Sequence, residues 1–170
     1  MTVPAPARIA LDFDALYRAA RDDVFAYVAT LLRDRGAAED VTALAFERAF
    51  SRRAKFDARR GSERAWLFGI ARNAALDELR KRRRSAALAA EPVSEAPAPE
   101  DEADLALRRA AVRTALAALP AREREVIALK FHAGLDNAEL AAVLGISVSN
   151  AGTRLHRALT TLREVLDDRS

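Results

Sequence analysis

The chain has 170 residues, of which 51% are hydrophobic and 31% charged, and its net charge is +3. Helix-favouring residues dominate and aromatic residues make up only 6%, so the composition predicts an all-α protein. The absence of cysteine excludes disulfides and thiolate metal sites. No apolar run approaches the roughly 20 residues of a membrane span, so we expect a cytoplasmic protein with no membrane contact of its own.

The charge is unevenly distributed along the chain. Residues 1–84 carry a net +6, residues 85–104 carry −6 and residues 105–170 carry +3. The acidic stretch contains three prolines and no aromatic residue, so it cannot bury enough apolar surface to offset the entropy of ordering. The sequence therefore predicts two small helical domains, residues 10–84 and 105–168, joined by a flexible acidic linker. Their basic character indicates binding to phosphate backbones, with a solvated basic face as the alternative.

In the first domain, apolar residues recur at helical spacing and predict a first helix closed by Gly36. A second helix is predicted from about Ala37 to Ala54. A short basic loop, Phe56–Ser62, follows, and its last residue suits the N-cap of a third helix from about Glu63 to Arg84.

The third predicted helix has an unusual face. One line along this helix carries Trp66, Asn73, Asp77, Arg80 and Arg84, and the last four follow the tryptophan by 7, 11, 14 and 18 residues. An aromatic ring can stack an unpaired base, while the basic run Arg80–Arg84, which includes Lys81, can attract the backbone. This line indicates a surface for single-stranded nucleic acid. The alternative for the tryptophan alone is burial among its apolar neighbours.

In the second domain, Pro120 suits the first turn of a helix. Asp136 and Glu139 have capping-box spacing and predict the start of another helix. Gly145 can adopt the left-handed conformation that ends it, and Ser147 can cap the next helix. Two short helices joined by such a tight turn predict a helix-turn-helix.

The second helix of this motif presents a polar edge opposite its leucine face. The side chains on that edge are Asn150, Thr153, Arg154 and Arg157. Arginine can bond guanine bidentately and asparagine can do the same to adenine, so these residues suit base reading in the major groove. The alternative is a plain helical hairpin with a solvated polar side.

Catalytic patterns are missing from the sequence. The glycines are scattered and form no phosphate-cradling loop, and the two histidines, His132 and His156, lack companions at ligand or triad spacing. We therefore expect no enzyme activity, no metal site and no cofactor.

Three segments, in this order and spacing, resemble a known family. They are AAEDVTALAFERAF at 37–50, RGSERAWLFGIARNAALDELRKRRR at 60–84, and LPAREREVIALKF with AELAAVLGISVSNAGTRLHRAL at 119–131 and 138–159. The chain resembles the extracytoplasmic-function (ECF) sigma factors, the smallest members of the bacterial sigma-70 superfamily. The segments are similar to region 2.2, regions 2.3 and 2.4, and region 4 of that family.

This resemblance implies promoter recognition and strand opening, with RNA synthesis left to the polymerase. It implies that Asp40, Phe46 and Arg48 bind core RNA polymerase at its β′ coiled coil. The melted minus-10 strand would contact the loop with Arg59 and Arg60 and the helix positions Arg72, Asn73 and Asp77. The minus-35 duplex would contact the polar edge of the helix-turn-helix. The β flap and an anti-sigma factor are further implied partners.

Two alternatives remain, and two departures from the family pattern stand out. A stand-alone helix-turn-helix regulator would explain the second domain only, and a helical enzyme or adaptor has no catalytic constellation behind it. Where family members usually carry Gln-Glu, this chain has Ala43-Leu44, and where they usually carry Val-Lys or Val-Arg in the recognition helix, it has Ala151-Gly152. The second departure predicts an unusual or weakly read minus-35 sequence.

Overall fold

The computed structural model describes residues 10–86 and 103–169, and the described part is helical without strands. The helices are α1 Phe13–Leu32, α2 Arg35–Ser51, α3 Glu63–Ala86, α4 Ala103–Ala118, α5 Ala121–Phe131, α6 Asn137–Leu144 and α7 Val148–Asp167, with a short 3-10 helix at Arg53–Lys55. The prediction of an all-α protein is confirmed. Most of the predicted linker, residues 87–102, lies outside the described residues.

Helices α1, α2 and α3 pack against one another and form the first domain. Many of the buried positions at their contacts are alanines, among them Ala20, Ala45, Ala71 and Ala75. Small side chains let helix backbones approach closely, and larger residues such as Phe68 fill the remaining space. A three-helix core therefore forms from a sequence with few aromatic residues.

The turn between α1 and α2 differs from the prediction. Arg33, with φ 55°, adopts the left-handed conformation that ends α1, and the Asp34 carboxylate accepts a hydrogen bond from the Ala37 N–H at 3.1 Å. Gly36 therefore lies inside the first turn of α2, and the prediction that it closes α1 is wrong. Helix α2 also ends at Ser51, three residues before the predicted end, because the chain tightens into a 3-10 turn.

The predicted caps of the other helices are confirmed. Ser62 Oγ accepts a hydrogen bond from the Ala65 N–H at 3.1 Å and so caps α3. Asp136 and Glu139 form a reciprocal capping box at the start of α6. Gly145 ends α6 with φ 67°, and Ser147 caps α7. These local interactions set the geometry of the helix-turn-helix.

The two domains pack directly against each other. Helix α5 contacts α1, and α6 contacts α3. One buried cluster runs through both domains and includes Tyr27 and Phe68 from the first with Leu129 and Leu140 from the second. A smaller cluster around Leu119 joins α4, α5 and α7. The helix-turn-helix is thus held against the three-helix domain.

Substitutions at two glycines should change stability in opposite directions. Gly145→Ala places a Cβ on a left-handed residue and should lower the free energy of unfolding by about 1 kcal/mol. Gly152 lies inside α7, where the nearest side-chain atom to an added Cβ is 3.7 Å away. Gly152→Ala should therefore raise the free energy of unfolding by up to about 1 kcal/mol. Urea denaturation of both variants measures the two changes. Changes of the same sign would contradict the assigned helix boundary.

Candidate nucleic-acid interface

The polar edge of α7 borders a cleft against α5. Asn150, Arg154 and Arg157 line it together with Arg122 and Glu123 from the start of α5. Three arginines and an asparagine in one concave surface are groups that can donate hydrogen bonds to phosphates and to base edges. Thr153 is exposed on α7 but outside the cleft lining, and its hydroxyl donates to the Ser149 carbonyl at 3.0 Å.

The contribution of α5 to this cleft was missed in the sequence. Arg122 and Glu123 are more than 25 positions before Asn150, and only the packing of α5 on α7 brings them together. The Glu123 Oε2 atom is buried and accepts no hydrogen bond from any described residue.

The predicted line along α3 is largely exposed. Asn73, Asp77, Arg80 and Arg84 all face solvent, as does Lys81. Trp66 is half-buried, with its ring edge-to-face against Phe56 at a centroid distance of 5.5 Å. The tryptophan therefore packs on the loop before α3 while keeping part of its ring accessible.

Asp77 connects α3 to α2. Its carboxylate lies 3.4 Å from Arg48 Nη1 and 3.1 Å from Arg80 Nη1. The basic run is also divided: Arg82 turns inward, donating to the Asp34 carboxylate at 2.9 Å and to the Leu32 carbonyl at 3.3 Å. Hydrogen bonds from the Ala37 N–H and from Arg82 lower the pKa of Asp34. Arg82 thus stabilises the fold, and its exposed neighbours carry the surface charge.

The loop before α3 presents a folded-back ion pair. The Arg59 side chain donates two hydrogen bonds to Asp57, each 3.1 Å long, and its N–H donates a third at 3.0 Å. These bonds lower the pKa of the Asp57 carboxyl, with the side-chain contribution largest. Arg60, on the same loop, is exposed.

Arg72 faces the second domain. Its Nε lies 2.5 Å from Glu125 Oε1 on α5, and the Tyr27 hydroxyl donates to the same oxygen at 3.1 Å. Burial, followed by the Glu125 charge, raises the pKa of Tyr27. The described conformation therefore holds Arg72 in the domain interface, apart from the exposed line of α3, and its contact with DNA stays a prediction.

The residues predicted to bind polymerase occupy different environments on α2. Asp40 is exposed, Arg48 is half-buried beside Asp77, and Phe46 is 6% exposed. Phe46 forms the floor of a groove between α1 and α2, edge-to-face with Tyr17 at 4.8 Å. The sequence reading missed the accessible apolar groups on this side, which are Tyr17, Leu44 and Phe50. Their exposure depends on how α1 and α2 pack.

A second set of polar contacts joins the domains around Arg64. This side chain bonds the Asp23 carboxylate at 2.9 Å, the Ala133 carbonyl at 2.9 Å and the His132 carbonyl at 3.3 Å. The Ser62 hydroxyl also donates to the Glu139 carboxylate. These bonds fix the orientation of α6 relative to α3.

Within the described ranges, no helix is long and apolar enough to cross a membrane. The same residues contain no cluster of three or more histidine or acidic side chains that could hold a metal ion.

Comparison with known proteins agrees with this geometry. The sigma-70 region 2 model matches residues 16–85, and the sigma-70 region 4 model matches residues 109–162. The ECF RNA polymerase sigma factor SigL of Mycobacterium tuberculosis is 34% identical over 91% of this chain and 90% of its own length. SigK of Mycobacterium bovis is 31% identical over 95% of this chain and 97% of its own.

Solved structures give the same result. The sigma factor RpoE of Bartonella quintana, in complex with the anti-sigma factor NepR, superposes with a TM-score of 0.77 and 28% identity, covering 92% of this chain and 97% of that one. CnrH in complex with the cytosolic domain of CnrY superposes with a TM-score of 0.70 and 28% identity, covering 93% of this chain and 89% of that one.

A chain that pairs a three-helix region 2 domain with a region 4 helix-turn-helix defines a class of DNA-binding transcription factor. This chain belongs to the ECF sigma factors of the sigma-70 family. It directs RNA polymerase in transcription initiation. A stand-alone regulator is not favoured, because that reading leaves the region 2 match unexplained.

The domain interface should make stability depend on pH through His132. Burial at the end of α5 lowers the pKa of this imidazole from its ordinary 6.5, and the Asp23 carboxylate partly offsets the effect. As pH falls, the unfolded chain takes up the proton before the folded one, so the free energy of unfolding should fall below about pH 6.5.

Denaturation at about pH 7.5 and about pH 5.5 measures this dependence. His132→Gln should flatten it, whereas His156→Gln, at an exposed position on α7, should leave it as in the parent chain. An equal slope in all three proteins would contradict a role for His132.

Proposed function

We propose that this sigma factor divides promoter recognition between the two faces described above. The observation that carries the proposal is that one chain presents a half-buried tryptophan in line with an exposed amide and exposed cations on α3, and a cationic cleft at α7. The first suits unstacked single-stranded bases, and the second suits the major groove of a duplex. A promoter opened at one end and held double-stranded at the other requires both.

The minus-35 duplex binds the cleft between α5 and α7. Asn150 and Arg154 read base edges from α7, and Arg157 and Arg122 contact phosphates on either side. Thr153, exposed on the same helix, makes a further contact to the duplex. Gly152 contributes no side chain, so discrimination depends on few residues.

The melted minus-10 strand lies along α3. Asn73 bonds a base turned out of the stack, Trp66 stacks on a neighbour, and Asp77 orients the cationic side chains next to it. The strand backbone follows the exposed cations, which are Arg59, Arg60, Arg80, Lys81 and Arg84.

Core polymerase binds the side of the first domain formed by α1 and α2. Asp40 and Arg48 supply polar contacts to the β′ coiled coil, and Phe46 supports the groove in which apolar side chains such as Tyr17 are accessible. A contact between the second domain and the β flap completes the assembly. The protein itself carries out no covalent chemistry and acts in the cytoplasm, where the polymerase is.

An anti-sigma factor is a further proposed partner. Two solved sigma factors of the same arrangement, RpoE and CnrH, are in complex with NepR and with the cytosolic domain of CnrY, respectively. The same shape here supports a partner of that kind, and it would limit how much of the chain is available to polymerase.

Adding the purified chain to sigma-free core polymerase tests the function itself. Promoter-specific transcripts are the expected result, because the chain supplies both recognition faces. Tight operator binding without association with polymerase would instead indicate a stand-alone regulator.

Arg154→Ala should reduce promoter-specific initiation by about 5- to 150-fold while leaving affinity for core polymerase unchanged. Losing one good base contact removes about 1–3 kcal/mol of discrimination, and the side chain is remote from the α1 and α2 groove. Run-off transcription and a core-binding titration separate the two effects. Equal losses in both measurements would contradict the assigned role.

Asn73→Ala should impair strand opening more than duplex binding. The amide is exposed on α3, so its loss leaves the core of the domain intact while removing a contact to the displaced base. Permanganate reactivity of minus-10 thymines reports opening, and footprinting of the minus-35 region reports duplex binding. The exposed Ser85→Ala serves as a matched control, because it also removes an uncharged polar side chain from the same helix. Normal permanganate reactivity in the Asn73 variant would remove this residue from the site.

A further inference from the structure

Glu125 is the one charged residue that is buried within residues 10–86 and 103–169. It lies on α5 in the second domain, yet both of its partners, Arg72 and Tyr27, belong to the first. The ion pair is largely shielded from water, with side-chain exposures of 23% for Arg72 and 11% for Glu125. Such a pair is costly to break by removing one partner, since the other charge is left buried and unpaired.

The packed arrangement cannot engage a promoter with both faces. Helix α3, which we assign to the melted strand, contacts α6, and α6 contacts the recognition helix α7. Packed helix axes lie about 10 Å apart, so α3 and α7 are separated by at most about 20 Å where they flank α6. Promoter elements separated by about two turns of duplex are about 70 Å apart. The domains must therefore separate before both elements are bound, and separation breaks the Arg72–Glu125 contact.

Arg72 is also on the helix that we assign to the minus-10 strand. The same guanidinium can pair with Glu125 in the packed state or with a phosphate or base after separation, but not with both. Pairing in the packed state therefore removes a DNA contact as well as closing the molecule. The Arg72 charge is neutralised in both states, by the Glu125 carboxylate while the domains are packed and by a DNA phosphate after they separate.

We propose that Glu125 is a latch that holds this sigma factor in a closed, autoinhibited state by pairing with Arg72 and Tyr27. This inference rests on the proposed function for its consequences at the promoter. The closed state is a property of the chain alone. RpoE bound to NepR has the same overall arrangement, so an antagonist of this sigma factor would select a state that already exists.

The first test measures the distance between the domains in the full free chain. Because the sequence has no cysteine, Ser51→Cys on α2 and Thr160→Cys on α7 provide unique sites for spin labels, both at exposed positions. Pulsed electron paramagnetic resonance should give one short, narrow distance distribution for the parent chain. A broad distribution there would overturn the proposal, since the free chain would not be closed.

Glu125→Gln keeps the shape of the side chain and removes its charge. It should shift the open-to-closed ratio by about a hundredfold, with a long-distance component appearing in the distribution. The matched control is Glu164→Gln, an exposed glutamate on α7, which should leave the distribution unchanged. An unaltered distribution in the Glu125 variant would show that the latch is absent.

A double-mutant comparison isolates the pair. Arg72→Gln combined with Glu125→Gln removes both charges, so the double variant should open less than the two single effects together predict. Additive effects would contradict the latch. If circular dichroism shows that Glu125→Gln has unfolded, Tyr27→Phe takes its place, with an expected shift of about fivefold for the loss of one hydrogen bond. No shift in a folded Tyr27 variant would also overturn the proposal.

Binding to core polymerase gives a separate readout. Only the open fraction of the chain is competent to bind core polymerase. Glu125→Gln should therefore tighten the apparent affinity by the factor by which the open fraction rises. If neither protein binds polymerase, the proposed function fails while the distance measurement still decides the latch. If both bind equally although the distances differ, the closed state exists without being inhibitory, and the proposal fails.

Discussion

Helix α3 presents a different kind of surface on each of three sides, and much of the structure follows from that constraint. One side carries Leu67, Phe68 and several alanines into the core with α1 and α2. A second side carries Arg64 and Arg72 against α5 and α6. The third remains exposed with the residues assigned to DNA. With 24 residues, or about 36 Å, the helix is long enough to separate these duties along its length as well as around its axis.

The domain interface combines apolar burial with a few directional bonds. Burial of Leu129 and Leu140 against the first domain supplies affinity without specifying one orientation. The bonds of Arg64 to backbone carbonyls and of Arg72 to Glu125 specify it, because a buried charge tolerates few arrangements. An interface of this kind can be stable as a closed state and still open when charged ligands compete for the same side chains.

Most of the helix caps were predicted correctly from the sequence, because neighbouring residues decide them. The caps at Ser62, Ser147 and Asp136 each depend on a side chain and an N–H three residues away, so composition and spacing suffice to find them. Gly36 was misassigned because an aspartate cap two positions earlier competed with it and prevailed. The family and its function were also readable, since three motifs in fixed order cover most of the chain.

The sequence by itself determined most of the helix boundaries and the helix-turn-helix, because these depend on periodicity and local hydrogen bonding. Tertiary structure alone decided which side chains are exposed and which are paired with a residue distant in the chain. It directed Arg82 to Asp34, turned Arg72 toward Glu125, placed Phe46 in the floor of a groove and brought Arg122 beside Asn150. Each of these contacts joins residues distant in the chain. The spacing of neighbouring residues does not predict them, because they depend on how the helices pack.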